Sequence, residues 1–159
     1  MSIPSAPLFP MIRRASRSVL PLVALSAGLA FVAQAAAPAI PRTPRPAAAR
    51  VYFITPSNGE KLKSPVVVRF GLEQMGVAPA GVEKPETGHH HLLIDVEVPS
   101  PSLPVPKSDQ YLHFGGGQTE ARIELAPGKH TLQLLLGDHN HVPHDPPVVS
   151  ERITIEVVK

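Results

Sequence analysis

The chain has 159 residues, eight histidines, no cysteine and a formal net charge of +2 at pH 7. That length suits one domain with its own core. The absence of cysteine excludes disulfides and thiolate metal sites. No lysine-rich or arginine-rich patch with interleaved aromatics points to nucleic acid as a partner.

The N-terminal part does not read as a domain. Arg13, Arg14 and Arg17 precede an apolar run over residues 19–32, which ends in Ala33-Gln34-Ala35. A basic stretch, an apolar stretch and a small-residue site together make a secretory signal peptide, here residues 1–35. Pro21, Ser26 and Gly28 interrupt the apolar run, which is short for a membrane span. An exported protein with no stable span after leader cleavage is expected. Three of the fifteen basic residues lie in the leader and none of the thirteen acids does, so 12 basic and 13 acidic residues remain, a net of −1. The basic balance of the full chain therefore belongs largely to the leader.

Residues 36–50 read AAPAIPRTPRPAAAR. Spaced prolines without apolar periodicity predict a stiff, extended linker. It leads into a domain over residues 51–159. VYFIT, residues 51–55, is a short β-rich run, and Asn58-Gly59 supplies a turn that tolerates positive φ. In PVVVRFGL, Val66, Val68, Phe70 and Leu72 share one face while Val67, Arg69 and Gly71 take the other. This period of two marks a half-buried strand. The same alternation places Leu92, Ile94, Val96 and Val98 together in HLLIDVEV, and Ala121, Ile123 and Leu125 in TEARIEL. It also groups Leu132, Leu134 and Leu136 in HTLQLLL, and Ile153, Ile155 and Val157 in SERITIEV. PSPSLPVP, with four prolines, reads as an extended loop or sheet edge. No segment holds a 3.6-residue apolar period. The expected fold is all-β, an immunoglobulin-like antiparallel β-sandwich of about seven strands.

All eight histidines lie between His89 and His144. Continued strand parity puts His90 on the core side with Leu92 and Ile94, and His89 with His91 on the opposite face. Side chains two apart on a strand are about 6.5–7 Å apart at the backbone, so two imidazoles can converge on one ion. His90 reads as a core histidine satisfied by a backbone carbonyl, and His130 as a core or strand-start residue; both are expected to be structural. GDHNHVPHD, residues 137–145, follows a strand and is stiffened by Pro143, Pro146 and Pro147. It carries His139, His141 and His144 between Asp138 and Asp145. The H-x-H-x-x-H spacing resembles a metal-binding run of metallo-β-lactamase-like hydrolases. Pro143 stands where that pattern needs Asp, and the domain is too short and too β-rich for that fold, so the hydrolase reading fails. His113 precedes three glycines, which allow close backbone approach but resemble no phosphate loop.

GHHHLLID, HFGGGQTE, PGKHTLQLLLGDHNHVPHDPP and SERITIEV, in this order, resemble the bacterial family known as domain of unknown function 4399 (DUF4399). The resemblance spans nearly all of residues 51–158. It implies an exported, single-domain, β-rich protein of a Gram-negative-type envelope, and so a periplasmic location. The family's histidine motifs fall on His89, His90, His91, His113, His130, His139, His141 and His144. No activity comes with the family. TPSNGEKLKSPVVVRFGL also resembles immunoglobulin-like periplasmic copper-carrier domains, in fold and not in site.

The expected function is binding of a divalent transition metal, Zn(II), Cu(II) or Ni(II), through a histidine cluster. Candidate ligands are His89, His91, His113, His139, His141 and His144. Asp138 and Asp145 are candidates for orienting an imidazole. Cu(I) is disfavoured, because Met75 is the one methionine after the leader. The alternative is a non-catalytic module that meets an envelope partner and uses its histidines as a structural hydrogen-bond network. No GxSxG elbow, HExxH helix or close carboxylate pair appears, so binding is read ahead of catalysis.

Overall fold

The computed structural model describes residues 40–159, so the expected leader lies outside the described residues. Nine strands and no helix occur among them: β1 Arg50–Thr55, β2 Lys61–Lys63, β3 Val66–Glu73, β4 Gly76–Val77, β5 Thr87–Ile94, β6 Tyr111–His113, β7 Glu120–Ile123, β8 Gly128–Gly137 and β9 Ile153–Val158. The all-β class expected from the alternation is the one observed. One sheet has the order β1-β3-β7; the other runs β2-β9-β8-β5-β4, with β6 added on β5.

Both sheets contribute to one core. Val51, Val66, Val68, Phe70 and Ile123 from the smaller sheet pack with Leu92, Ile94, Leu132, Leu134, Leu136, Ile153, Ile155 and Val157 from the larger. Val51 apart, these are residues that the period of two grouped together. In register, Leu92 faces Leu134 and Ile94 faces Leu132 across β5 and β8. Burying each such aliphatic side chain stabilises the fold by about 1.5–3 kcal/mol before chain entropy opposes it.

The structure departs from the expectations at three places. The strand expected to run through Val98 ends at Ile94, because Asp95 adopts a φ of +57°. Asp tolerates that left-handed region, and its carboxylate accepts the Thr131 N–H at 2.7 Å. Beyond this turn the parity flips. Val96 and Val98 therefore pack with Leu93, Val105 and Leu135 in a second cluster rather than with Leu92 and Ile94. The sheets are also not wholly antiparallel. β2 pairs with β9, and β4 with β5, in parallel. No tight hairpin joins either pair, so turn geometry does not fix their direction. Finally, β6 pairs with β5 over a segment in which no alternation marked a strand; three residues are too few to show a period.

Residues 42–45 lie along the loop after β8. Pro44 bridges Asp145, and the Asp145 N–H bonds to the Thr43 carbonyl at 2.9 Å.

Candidate metal centre

β5 is buried on both faces along its whole length. Its even positions feed the core, and His90 there packs on Phe70 with ring centroids 5.1 Å apart. Its odd positions carry His89 and His91 onto the outer face, where they are 0% and 1% exposed. His113 reaches the same face from β6, because the antiparallel register sets it opposite His91. His141 comes from the loop after β8. The four rings form one cluster: His89 lies 4.8 Å from His91, 4.9 Å from His113 and 5.0 Å from His141. His113 and His141 are 4.6 Å apart. His91 is 5.1 Å from His113 and 6.2 Å from His141. One ring nitrogen each from His89, His113 and His141 lie within 4.8 Å of one another, so this group could hold a metal ion.

Glycine makes room for the rings. A Cβ on Gly137 would sit 2.7 Å from Cε1 of His91, and one on Gly115 would sit 2.3 Å from Cε1 of His113. Position 137 is also the register partner of His89, so the strand beside that imidazole carries no side chain.

Asp138 shapes the turn that presents His141. Its carboxylate accepts the N–H groups of Asn140 at 2.8 Å and Val142 at 3.0 Å. Its carbonyl accepts the His141 N–H at 2.9 Å. His141 itself has a φ of +65°, uncommon for a residue with a side chain and held here by these bonds.

Three of the four rings, His89, His91 and His113, are held toward the neutral form. Burial, then repulsion from His113 and His141, pushes the His89 imidazole down to about 4. Burial, then repulsion from His89, His113 and His141, pushes His91 down to about 2. His113 is lowered by burial and by His141. Neutral imidazoles keep a lone pair for a metal without competition from protons. Both ring nitrogens of His89, Nδ1 of His91 and Nε2 of His113 are buried without a hydrogen-bond partner among the described residues. A buried polar atom without a partner costs about 1–3 kcal/mol, so this arrangement calls for a compensating ligand.

The other candidates lie apart. His139 is half-exposed, contacts Asn140 through Nε2 at 2.9 Å, and lines a groove of about 450 Å³ with Thr43 and Lys84. His144 is buried under Gly88, with Nε2 3.2 Å from the Thr87 carbonyl. His130 contacts Asp95 at 2.7 Å and the Ala126 carbonyl at 2.8 Å. His90 lies in the core; the Gln118 backbone is the polar group beside its ring, and neither ring nitrogen makes a full hydrogen bond. The hydrogen bonds of Asp138 go to the loop backbone and to Thr43, and Asp145 pairs with Arg42 at 2.8 Å; neither carboxylate bonds to an imidazole. Sequence reasoning missed the spacing role of Gly137 and Gly115. Their signal was a glycine two residues after His113 and one directly before Asp138.

The family described as Domain of unknown function (DUF4399) matches residues 68–158, a span that includes every histidine. No curated protein and no solved structure matches the chain.

Proposed function

The chain belongs to the DUF4399 family, and on that premise we propose that it is a metal-binding protein holding one divalent transition ion through His89, His113 and His141. The observation that carries the reading is the approach of three ring nitrogens to within 4.8 Å of one another, two of the three rings having buried nitrogens without a protein partner. Bonds of about 2.0–2.1 Å in a tetrahedral site set ligand nitrogens roughly 3.4 Å apart, so nitrogens now within 4.8 Å of one another close by up to about 1.4 Å on loading. His91 stands next to the three and supplies a fourth imidazole.

An all-imidazole donor set without thiolate suits Zn(II), Cu(II) and Ni(II) over Ca(II) or Mg(II). The other reading, an interaction module with a structural histidine network, draws support from His130 and His144, which do have protein partners. It gives no role to the convergence of the His89, His113 and His141 ring nitrogens. An immunoglobulin-like sandwich and a periplasmic location belong to the same proposal. Two sheets sharing one core support the first, and the leader-like N-terminus supports the second.

Electron paramagnetic resonance of the chain loaded with one equivalent of Cu(II) tests the site. Nitrogen hyperfine structure from at least three imidazoles is expected, and it should be lost in His113→Ala. A spectrum identical to Cu(II) in buffer contradicts the proposal.

A further inference from the structure

The metal reading does not explain why residues 42–45 are tied so closely to the loop that carries His141. Arg42 donates from Nε to the Pro143 carbonyl at 3.2 Å, from Nη1 to Asp145 at 2.8 Å, and from Nη2 to the His144 carbonyl. Arg45 donates from Nε to the Pro146 carbonyl at 3.1 Å. Between them, the Thr43 hydroxyl donates to Oδ2 of Asp138 at 2.7 Å. Asp138 is 1% exposed, and its other oxygen, Oδ1, is the acceptor for the Asn140 and Val142 amides. Those amides flank His141. One carboxylate therefore holds residues 42–45 on one oxygen and the His141 turn on the other.

This arrangement has the marks of a positioning device. His141 sits in a backbone conformation that needs surrounding bonds to persist, and Asp138 provides them. The carboxylate can aim both amides only if it is itself fixed, and among side chains the Thr43 hydroxyl is its partner. Pro41, Pro44 and Pro46 stiffen the segment, which lowers the entropy lost when it docks. On the far side, the Val105 N–H bonds to the His141 carbonyl at 2.8 Å, so the turn is held from both directions.

We propose that residues 42–45 form a strap that positions His141 for metal binding, with Thr43 acting through Asp138. The inference rests on the metal reading above and adds a means of regulation to it. When the strap is docked, His141 is preorganised toward His89 and His113. When it is released by a binding partner, His141 loses this support and the site is left with His89, His113 and the neighbouring His91. Linkage makes the effect reciprocal, so a bound ion also tightens the strap.

Two readouts on the purified full chain test this. The first is zinc affinity by chelator competition for the wild type, Thr43→Val and Thr43→Ser. Thr43→Val should bind on the order of 10- to 100-fold more weakly, the range for partners that orient ligands, and Thr43→Ser should restore binding. The second is amide hydrogen exchange of His141 and Val142 in chelated protein, which needs no metal. Exchange should be faster in Thr43→Val and return to the wild-type rate in Thr43→Ser. Unchanged zinc affinity and unchanged exchange in Thr43→Val overturn the strap. A wild-type chain that binds no zinc overturns the metal reading and the metal half of this inference, while the exchange readout still decides whether the strap holds His141. Should Thr43→Val fail to fold, Arg42→Gln loosens the same strap, leaves Asp138 untouched and carries both readouts.

Discussion

His89 on β5 and His141 on the loop after β8 meet edge to face, their ring centroids 5.0 Å apart and their planes at 76°. This contact joins the two histidine-rich segments of the chain. It makes one site from residues that are far apart in sequence, and it separates His141 from its neighbours His139 and His144. His89→Ala and His141→Ala should each weaken Zn(II) or Cu(II) binding by at least about 100-fold, beyond the range for residues that only orient ligands. His139→Ala should bind as the wild type does. Calorimetric titration of the three variants distinguishes a single converged site from a flexible histidine-rich tail, in which all three would weaken binding alike.

The metal-free protein should lose stability in mild acid. Burial first, and for His89 and His91 neighbouring histidines second, hold His89 and His90 down to about 4 and His91 to about 2. In the unfolded chain each titrates near 6.5. Below that value the unfolded state binds more protons, so the stability present above about pH 6.5 falls as the pH falls toward the folded values. The slope is roughly 1.4 kcal/mol per pH unit for each such histidine. His130 runs the other way. Burial lowers it, but Asp95 and the Ala126 carbonyl outweigh that and leave it raised. Its contribution is present below about pH 6.5 and is lost as the pH rises through its folded value. Urea midpoints of chelated protein at about pH 7.5 and about pH 5 measure the balance. Equal midpoints would show that the buried histidines are not held neutral.

Two glycine substitutions should separate spacing from folding. In Gly115→Ala the new Cβ would meet the tip of the His113 ring, which can swing away. The expected result is metal affinity about tenfold lower with stability changed by less than about 1 kcal/mol. In Gly88→Ala the Cβ would lie 2.6 Å from the Gly137 carbonyl oxygen and 2.9 Å from Leu136 Cγ. Backbone must move there, so a loss of about 1–3 kcal/mol is expected. Denaturant unfolding and zinc competition, run on both variants, check the pair.

His90→Leu is expected to leave stability unchanged or raise it by about 1 kcal/mol. The ring lies against Phe70 in the core with neither nitrogen bonded, so replacing it by an apolar side chain removes an unsatisfied group. Metal affinity should not change, because His90 faces away from the cluster. A loss above about 2 kcal/mol would show that the imidazole nitrogens have a partner the account omits.

Much of this fold is legible in the sequence where one face of a strand is buried. Val66, Val68 and Phe70 alternate cleanly, as do Leu132, Leu134 and Leu136, and each set lies in the core. The same parity carried back through GHHH places His89 and His91 together and His90 apart from them. The rule fails at Asp95, where one left-handed residue reverses the faces that Val96 and Val98 present. It is silent on β6, which is too short to show a period. Loop geometry is the other limit. Three histidines in GDHNHVPHD look equivalent as letters, and the choice of His141 is made by the hydrogen bonds around Asp138. The strap is hidden for a related reason. Arg42 and Arg45 bond mainly to backbone carbonyls, which every residue has and no pattern marks.

The most direct test of the account is a calorimetric titration of chelator-stripped protein with Zn(II) and then with Cu(II), repeated on His141→Ala. The account predicts one ion per chain with a Kd below about 10 μM, equivalent to about −7 kcal/mol, and loss of that binding in the variant. Wild-type binding no tighter than about 10 μM, or binding that survives His141→Ala unchanged, would contradict it.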